Sequence, residues 1–230
     1  MSLEIQHLEI SYGKHRVLYD ASLFLPAGEI HGLVGVNGAG KTSLLNAISG
    51  LKIAQQGVVL WKGKCIQGTD LAYMESSLFF YPRMTGLDYM QLFAASNPGF
   101  RLEDWNELFH LPLHEYIENY SSGMQKKLAL MGIIALGRPL WLLDEPFNTL
   151  DLEAVELLKK LLPSFSKKGT TVLLTSHILE TLTETCTKIH FMDQGSIRFS
   201  YPENEFQLLQ QEIARHASEK YDEKINRAMG

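Results

Sequence analysis

Residues 35–42 read Gly35-Val36-Asn37-Gly38-Ala39-Gly40-Lys41-Thr42, a fit to G-x-x-x-x-G-K-[ST]. In that pattern the glycines let backbone N–H groups converge on phosphate oxygens, and a following helix adds its positive end. Lys41 would reach the β- and γ-phosphates, and the Thr42 hydroxyl suits Mg²⁺. A second group of residues, Leu140-Trp141-Leu142-Leu143, is apolar and ends in two carboxylates, Asp144 and Glu145. Delivered beside a phosphate loop, Asp144 can hold Mg²⁺ through water, and Glu145 can polarise an attacking water as general base. A third apolar run ends at Ser176-His177. Finally, Tyr120-Ser121-Ser122-Gly123-Met124 precedes a helical stretch expected over Gln125 to Leu136. Ser and Gly there are ordinary caps taken alone. Their functional reading is a second anion site, which faces a phosphate that this chain does not itself bind.

These residues need elements to carry them. Ile30-His31-Gly32-Leu33-Val34 is strand-sized and runs into the Gly loop, after which Leu44, Leu45 and Ile48 recur at helical spacing, with Gly50 at the end. The carboxylate strand leads to a helical stretch from Leu152 to Leu162, expected to stop at Pro163, and Thr171–Thr175 again leads into a helical segment. Near-continuous apolar runs alternating with helices call for a parallel sheet covered on both faces. Between two of those strands, residues about 84–136 lose strand character. Met90, Phe93 and Ala94, then Trp105, Leu108 and Phe109, then Leu128, Met131 and Ile134 predict helices, separated by Asn97-Pro98-Gly99 and Pro112. Phe191-Met192-Asp193 and Ile197-Arg198-Phe199 around Gln194-Gly195 predict a hairpin. From about Tyr201 to residue 230 the chain is a polar tail, in which Phe206, Leu209, Ile213 and Ala217 could stripe one helix.

The 230 residues carry 26 Asp+Glu against 21 Lys+Arg, net −5, with 45% hydrophobic residues. Such a chain can bury a sizeable core and is not disordered. Its acidic balance argues against nucleic acid as the main partner. Cys65 and Cys186 stand alone without metal-type spacing, and are expected as reduced thiols in or near the core. The first residues lack a basic start and an apolar h-region, so the expected place is the cytosol. Leu128 to Leu143 is broken by Arg138-Pro139 and is too short for a bilayer, so work at a membrane would need another chain. No N-K-x-D run for guanine occurs, which disfavours a GTPase.

In order, these motifs resemble those of the ATP-binding subunits of ABC transporters, over about residues 3–200. Ser11-Tyr12-Gly13 is similar to the family's aromatic loop, and GVNGAGKT to its phosphate loop. SSGM falls where the family has its Ser-Gly-Gly-Gln signature, and Leu142 to Pro146 matches its carboxylate strand. Asn148-Thr149-Leu150-Asp151 resembles the D-loop, and Ser176-His177 the switch histidine.

The resemblance implies an α/β fold of the P-loop NTPase type: a mostly parallel sheet, a small antiparallel β part from the N-terminal strands, and a helical subdomain. It implies residues 1–200 as the ATP-binding domain. Tyr12 would stack on adenine; Asn37, Gly38, Ala39, Gly40, Lys41, Thr42 and Ser43 would bind the phosphates; Thr42 and Asp144 would serve Mg²⁺. Glu145 and His177 would be catalytic. Ser121, Ser122, Gly123 and Met124 would contact the ATP of a partner in a head-to-tail dimer, homomeric or heteromeric, whose opening and closing drives separate membrane permease subunits from the inner face of the cytoplasmic membrane. Aligning Tyr73 and Pro82 with the family places Ser76, beside Glu75, where a Gln that touches Mg²⁺ is usual. Ser122 replaces a signature glycine, at a cost if positive φ is required. These two departures motivate a second reading, a nucleotide-binding subunit that does not hydrolyse. DNA-repair relatives carry long coiled-coil insertions, and translation factors of the family usually hold two such domains; this chain shows neither feature.

Overall fold

The structure, a computed structural model, describes residues 2–229; in the last helix the side chains of 217 and 219–229, Ala217 among them, lie outside the described set. Strands β1 (Ser2–Tyr12), β2 (His15–Pro26), β4 (Gln56–Trp61) and β5 (Lys64–Cys65) form an antiparallel sheet in the order β2-β1-β4-β5. A second sheet of six strands has the order β10-β9-β3-β8-β7-β6. It contains β3 (Ile30–Val34), β6 (Leu71–Met74), β7 (Leu140–Leu143), β8 (Thr171–Ser176), β9 (Lys188–Asp193) and β10 (Ser196–Pro202). All neighbours in it are parallel except β9 and β10, which make the hairpin expected around Gln194-Gly195.

The apolar runs are continuous because both faces of this sheet are covered. Leu140, Leu142, Leu173 and Leu33 pack with α1 (Lys41–Ile48) and with the inward residues of the antiparallel sheet, such as Leu3, Ile5, Leu18 and Leu25. Trp141, Leu143, Val172 and Leu174, which alternate with them, join a core with helices α2 (Gly86–Ala94), α4 (Ser122–Leu136) and α5 (Leu152–Lys167). Helix α3 (Leu102–Phe109) adds the buried Phe109, and α6 (Leu179–Thr183) the buried Leu182. Helix α7 (Phe206–Met229) closes the chain, with Phe206 and Leu209 buried.

Three expectations are corrected. Pro163 does not end α5, which continues to Lys167. An interior proline costs about 3 kcal/mol through its missing N–H and its ring. That cost is offset by burial of Leu162 and by Phe165, whose ring lies 5.9 Å from Trp105 and 4.6 Å from Trp141. Helix α4 starts at Ser122 rather than Gln125, because Ser121 in extended conformation caps it by accepting a hydrogen bond from Met124 N at 3.2 Å. Cys186 is buried as expected, but Cys65 lies exposed on the edge strand β5, away from either core.

Candidate functional site

The C-terminal ends of parallel strands β3, β6, β7 and β8 meet where a doubly covered sheet gathers its ligands. From β3 the chain passes through the Gly loop into α1, whose N-cap Gly40 offers no side-chain cap and whose first turn holds no acidic residue. The first N–H groups of α1 are therefore free to meet an anion. Gly40 has φ of 108°, and a Cβ there would stand 2.8 Å from Leu18 Cδ2, so the tight turn requires glycine. The β9–β10 turn braces the loop: Gly195 N donates to Ala39 O at 2.9 Å, and Tyr19 N of β2 donates to Gly195 O at 2.8 Å.

A cavity of about 300 Å³ opens over this turn, lined by Val17, by residues 37–43 and by Ser76 and Glu145. Thus every phosphate-loop residue expected from the sequence, Asn37 through Ser43, borders one space, with Ser76 and Glu145 on its rim. A second cavity of about 510 Å³ shares Val17 and Gly38 with it and is also bordered by His15, Arg16 and Arg198. Tyr12 borders neither; it is the cross-strand partner of His15, with the Lys52 ammonium 4.5 Å from its ring centroid.

At the floor, Lys41 Nζ donates to Gly35 O at 2.7 Å and lies 3.9 Å from Glu145 Oε1. Burial pushes its ammonium below the ordinary lysine value, and the charges of Glu145 and Asp144 oppose that. Thr42 Oγ1 donates to Asp144 Oδ2 at 2.7 Å, while the fully buried Thr175 Oγ1 donates to Asp144 Oδ1 at 2.6 Å. The same Thr175 oxygen accepts from Glu145 N at 2.9 Å. Hydroxyl and carboxylate oxygens converging here are the hard donors Mg²⁺ selects, so the residues fit that ion. Glu145 has φ of 50°, uncommon for a non-glycine residue. Its Oε2 meets His177 at Nδ1, 3.0 Å, and at the backbone N, 3.3 Å.

Ser121, Ser122, Gly123 and Met124 lie apart from this cavity, at the start of α4. Ser122 has no positive φ, so the serine is accommodated as the first residue of the helix. Gly123 does need to be glycine: a Cβ would stand 2.8 Å from the carbonyl oxygen of Thr149, itself at φ of 67°. Asp151 caps α5, accepting from Ala154 N at 2.8 Å, and pairs with Lys127 Nζ at 2.7 Å. The Lys127 contact first, then the Ala154 N–H, hold its carboxyl below the usual range. The segment around Ser121 and the Asp151 loop are thereby tied within one chain.

Sequence reasoning missed Thr175 and the Gln194-Gly195 brace. A threonine inside an apolar strand carries no signal of its own, and the brace joins segments far apart in the chain.

A family model described as ABC transporter matches residues 18–148. The chain belongs to the ABC transporter family. As one of its ATP-binding subunits, it is 30% identical over 205 residues to the uncharacterized ABC transporter ATP-binding protein YhaQ of Bacillus subtilis, covering 84% of this chain and 68% of that one. It is 34% identical over 188 residues to the cytochrome c biogenesis ATP-binding export protein CcmA of Dechloromonas aromatica, covering 76% and 92%. Among solved structures, an ATP binding subunit of an ABC transporter superposes with a TM-score of 0.81 at 26% identity, covering 90% of this chain and 93% of the other. ABC ATP-binding domains bind ATP, are generally ATPases and work with membrane permeases. Among the described residues of this ABC subunit, no helix is long and apolar enough to cross a membrane.

Proposed function

We propose that this subunit hydrolyses Mg²⁺-ATP in a head-to-tail pair of ATP-binding chains, and that the cycle drives substrate through separate permease subunits at the inner face of the cytoplasmic membrane. The observation that carries the reading is Glu145, which lines the phosphate-loop cavity while contacting both His177 and the neighbourhood of Lys41. Residues 37–43 receive the triphosphate on backbone N–H groups, and Lys41 exchanges the Gly35 carbonyl for β- and γ-phosphate oxygens. The nucleoside half extends along the second cavity toward Tyr12. Glu145 orients the attacking water and takes its proton; His177 holds the Glu145 carboxylate and faces the γ-phosphate. Thr42 and Asp144, with Ser76 on the rim, would hold Mg²⁺, which when bound neutralises phosphate charge. Ser121, Ser122, Gly123 and Met124 complete the partner's site, and Asp151 ties that segment to its own carboxylate strand.

The contact between Glu145 and His177 favours hydrolysis over a binding-only role. The test is light scattering of a Glu145→Gln chain, which binds ATP without turning it over. Addition of Mg²⁺-ATP should convert it to a species of twice the mass, and Ser121→Arg should prevent this. A mass unchanged by ATP argues against the shared site.

A further inference from the structure

Helix α7 lays Phe206, Leu209 and Ile213 against the core, a stripe at helical spacing. The next place on that stripe is taken by His216 rather than by an apolar residue. Its ring meets Phe191 of β9 edge-on, with centroids 5.4 Å apart, and its Nε2 donates to Asp193 Oδ2 at 3.1 Å. Asp193 is the last residue of β9 and only 4% exposed, so its carboxylate needs partners, and His216 is one of them.

Beside Asp193 lies the phosphate loop. Asp193 pairs with Ser196 across Gln194 and Gly195, whose φ values are 48° and 75°. Two successive positive φ values are the mark of a two-residue hairpin turn, so Asp193 and Gly195 move as one piece. Gly195 N donates to Ala39 O at 2.9 Å. The neighbouring Met192 closes on the same loop: a Cβ on Gly35 would collide with the Met192 carbonyl, and a Cβ on Gly40 would stand 3.0 Å from Met192 Cε. In a planar trans peptide the carbonyl and the following N–H point to opposite sides. Fixing Ala39 O therefore fixes the direction of Gly40 N–H, a member of the phosphate-binding turn.

We propose that His216 is a positioning residue for nucleotide binding: by holding Asp193 it fastens α7 to the β9–β10 turn, and the turn keeps the Ala39–Gly40 peptide in the orientation that receives phosphate. The proposal rests on the reading of residues 37–43 as the triphosphate site. Without this anchor the loop can leave its binding shape, and the apparent Kd rises by the inverse of the fraction that remains in it. The hydrolytic groups are untouched, because Asp144 and Glu145 follow β7 and His177 follows β8.

The test separates donor from ring in the full chain. His216→Phe keeps an aromatic ring for Phe191 and lacks the donor; His216→Gln lacks the ring and keeps an amide donor at similar reach. The first readout is hydrogen exchange of the nucleotide-free chain over residues 35–43, with β8 as the reference. Exchange at 35–43 should speed about fivefold in H216F, the effect of one ordinary hydrogen bond, and stay within about twofold of wild type in H216Q, with β8 unchanged in both. The second is the Kd of a fluorescent ATP analogue, which should rise about fivefold in H216F alone, with KM for ATP following it and kcat within about twofold. If H216F does not fold, His216→Ala takes its place. A folded variant without the donor that exchanges at 35–43 like the wild type overturns the proposal. So does one that speeds β8 equally, since that is loss of stability alone. A wild-type chain that binds no analogue would sink the triphosphate reading, and exchange at 35–43 would still decide the role of His216.

Discussion

Replacing Thr175 with valine keeps the shape of a fully buried strand residue and removes one hydroxyl that serves two masters. That oxygen donates to Asp144 Oδ1 at 2.6 Å and accepts from Glu145 N at 2.9 Å. Losing the bond to a charged carboxylate costs about 1.5–3 kcal/mol, and stranding a buried N–H costs about 1–3 kcal/mol. Together these span about 2.5–6 kcal/mol, and because Asp144 retains its Thr42 contact and the Glu145 N–H is only part-buried, we expect a total near the lower end, about 3 kcal/mol. For a domain of this size each kcal/mol lowers Tm by about 2–4 °C, so T175V should melt roughly 6–12 °C early. Thr171→Val is the control. It is a buried threonine on the same strand, remote from the carboxylates, whose hydroxyl accepts a single bond from Gly28 N at 3.0 Å. Its loss should cost about 1 kcal/mol and leave ATP turnover unchanged. T175V should also lose turnover by about tenfold or more, since both carboxylates shift from their productive placement. The assay pairs circular-dichroism melts with phosphate release at a temperature where both variants are folded. Equal melting shifts for the two variants, or full turnover in T175V, would refute the reasoning.

Other expectations follow from particular contacts. Gly123→Ala pushes a methyl group against the Thr149 carbonyl; overpacking should cost about 1–3 kcal/mol in a urea melt and weaken ATP-driven dimerisation. Ser122→Gly, by contrast, should gain nothing, because position 122 is helical and glycine there loses about 0.5–1 kcal/mol; a stabilised S122G would show that the backbone reading is wrong. His31 and His190 form a buried pair, Nδ1 to Nε2 at 2.8 Å, and burial holds both below the ordinary histidine value. The unfolded chain then binds more protons below about pH 6.5, so stability should fall as pH drops through that value, at up to about 1.4 kcal/mol per pH unit for each histidine. Melts from pH 7.5 to 5.5 should show this slope, and His190→Gln should flatten it; an unchanged slope would assign it elsewhere.

Much of the fold was legible because its signals are local. Apolar runs of strand length ended at glycines or carboxylates, so β3, β7 and β8 emerged with the residues they deliver. Helix ends were less so. Pro163 marks a stop by propensity, yet Phe165 between two tryptophans outweighs it, and that packing joins residues far apart in sequence. The start of α4 turned on which serine accepts the capping bond, which SSGM alone leaves open between 121 and 122. Cys65 was misplaced because the usual burial of a free cysteine gives no warning of a short edge strand, where its side chain meets no core. The loop, Asp144, Glu145 and His177 were legible as chemistry-bearing types at motif spacing. Thr175 was not, since a strand threonine has common structural roles, and only the fold brings it to the carboxylates.

Hydrolysis by two chains acting together is the central claim, and steady-state release of phosphate from Mg²⁺-ATP tests it most directly. It should be measured over a series of chain concentrations, with Glu145→Gln as the comparison. The expected result is turnover per chain that rises with chain concentration and is lost in E145Q. Equal phosphate release by E145Q and wild type, or turnover per chain that is independent of concentration, would contradict it.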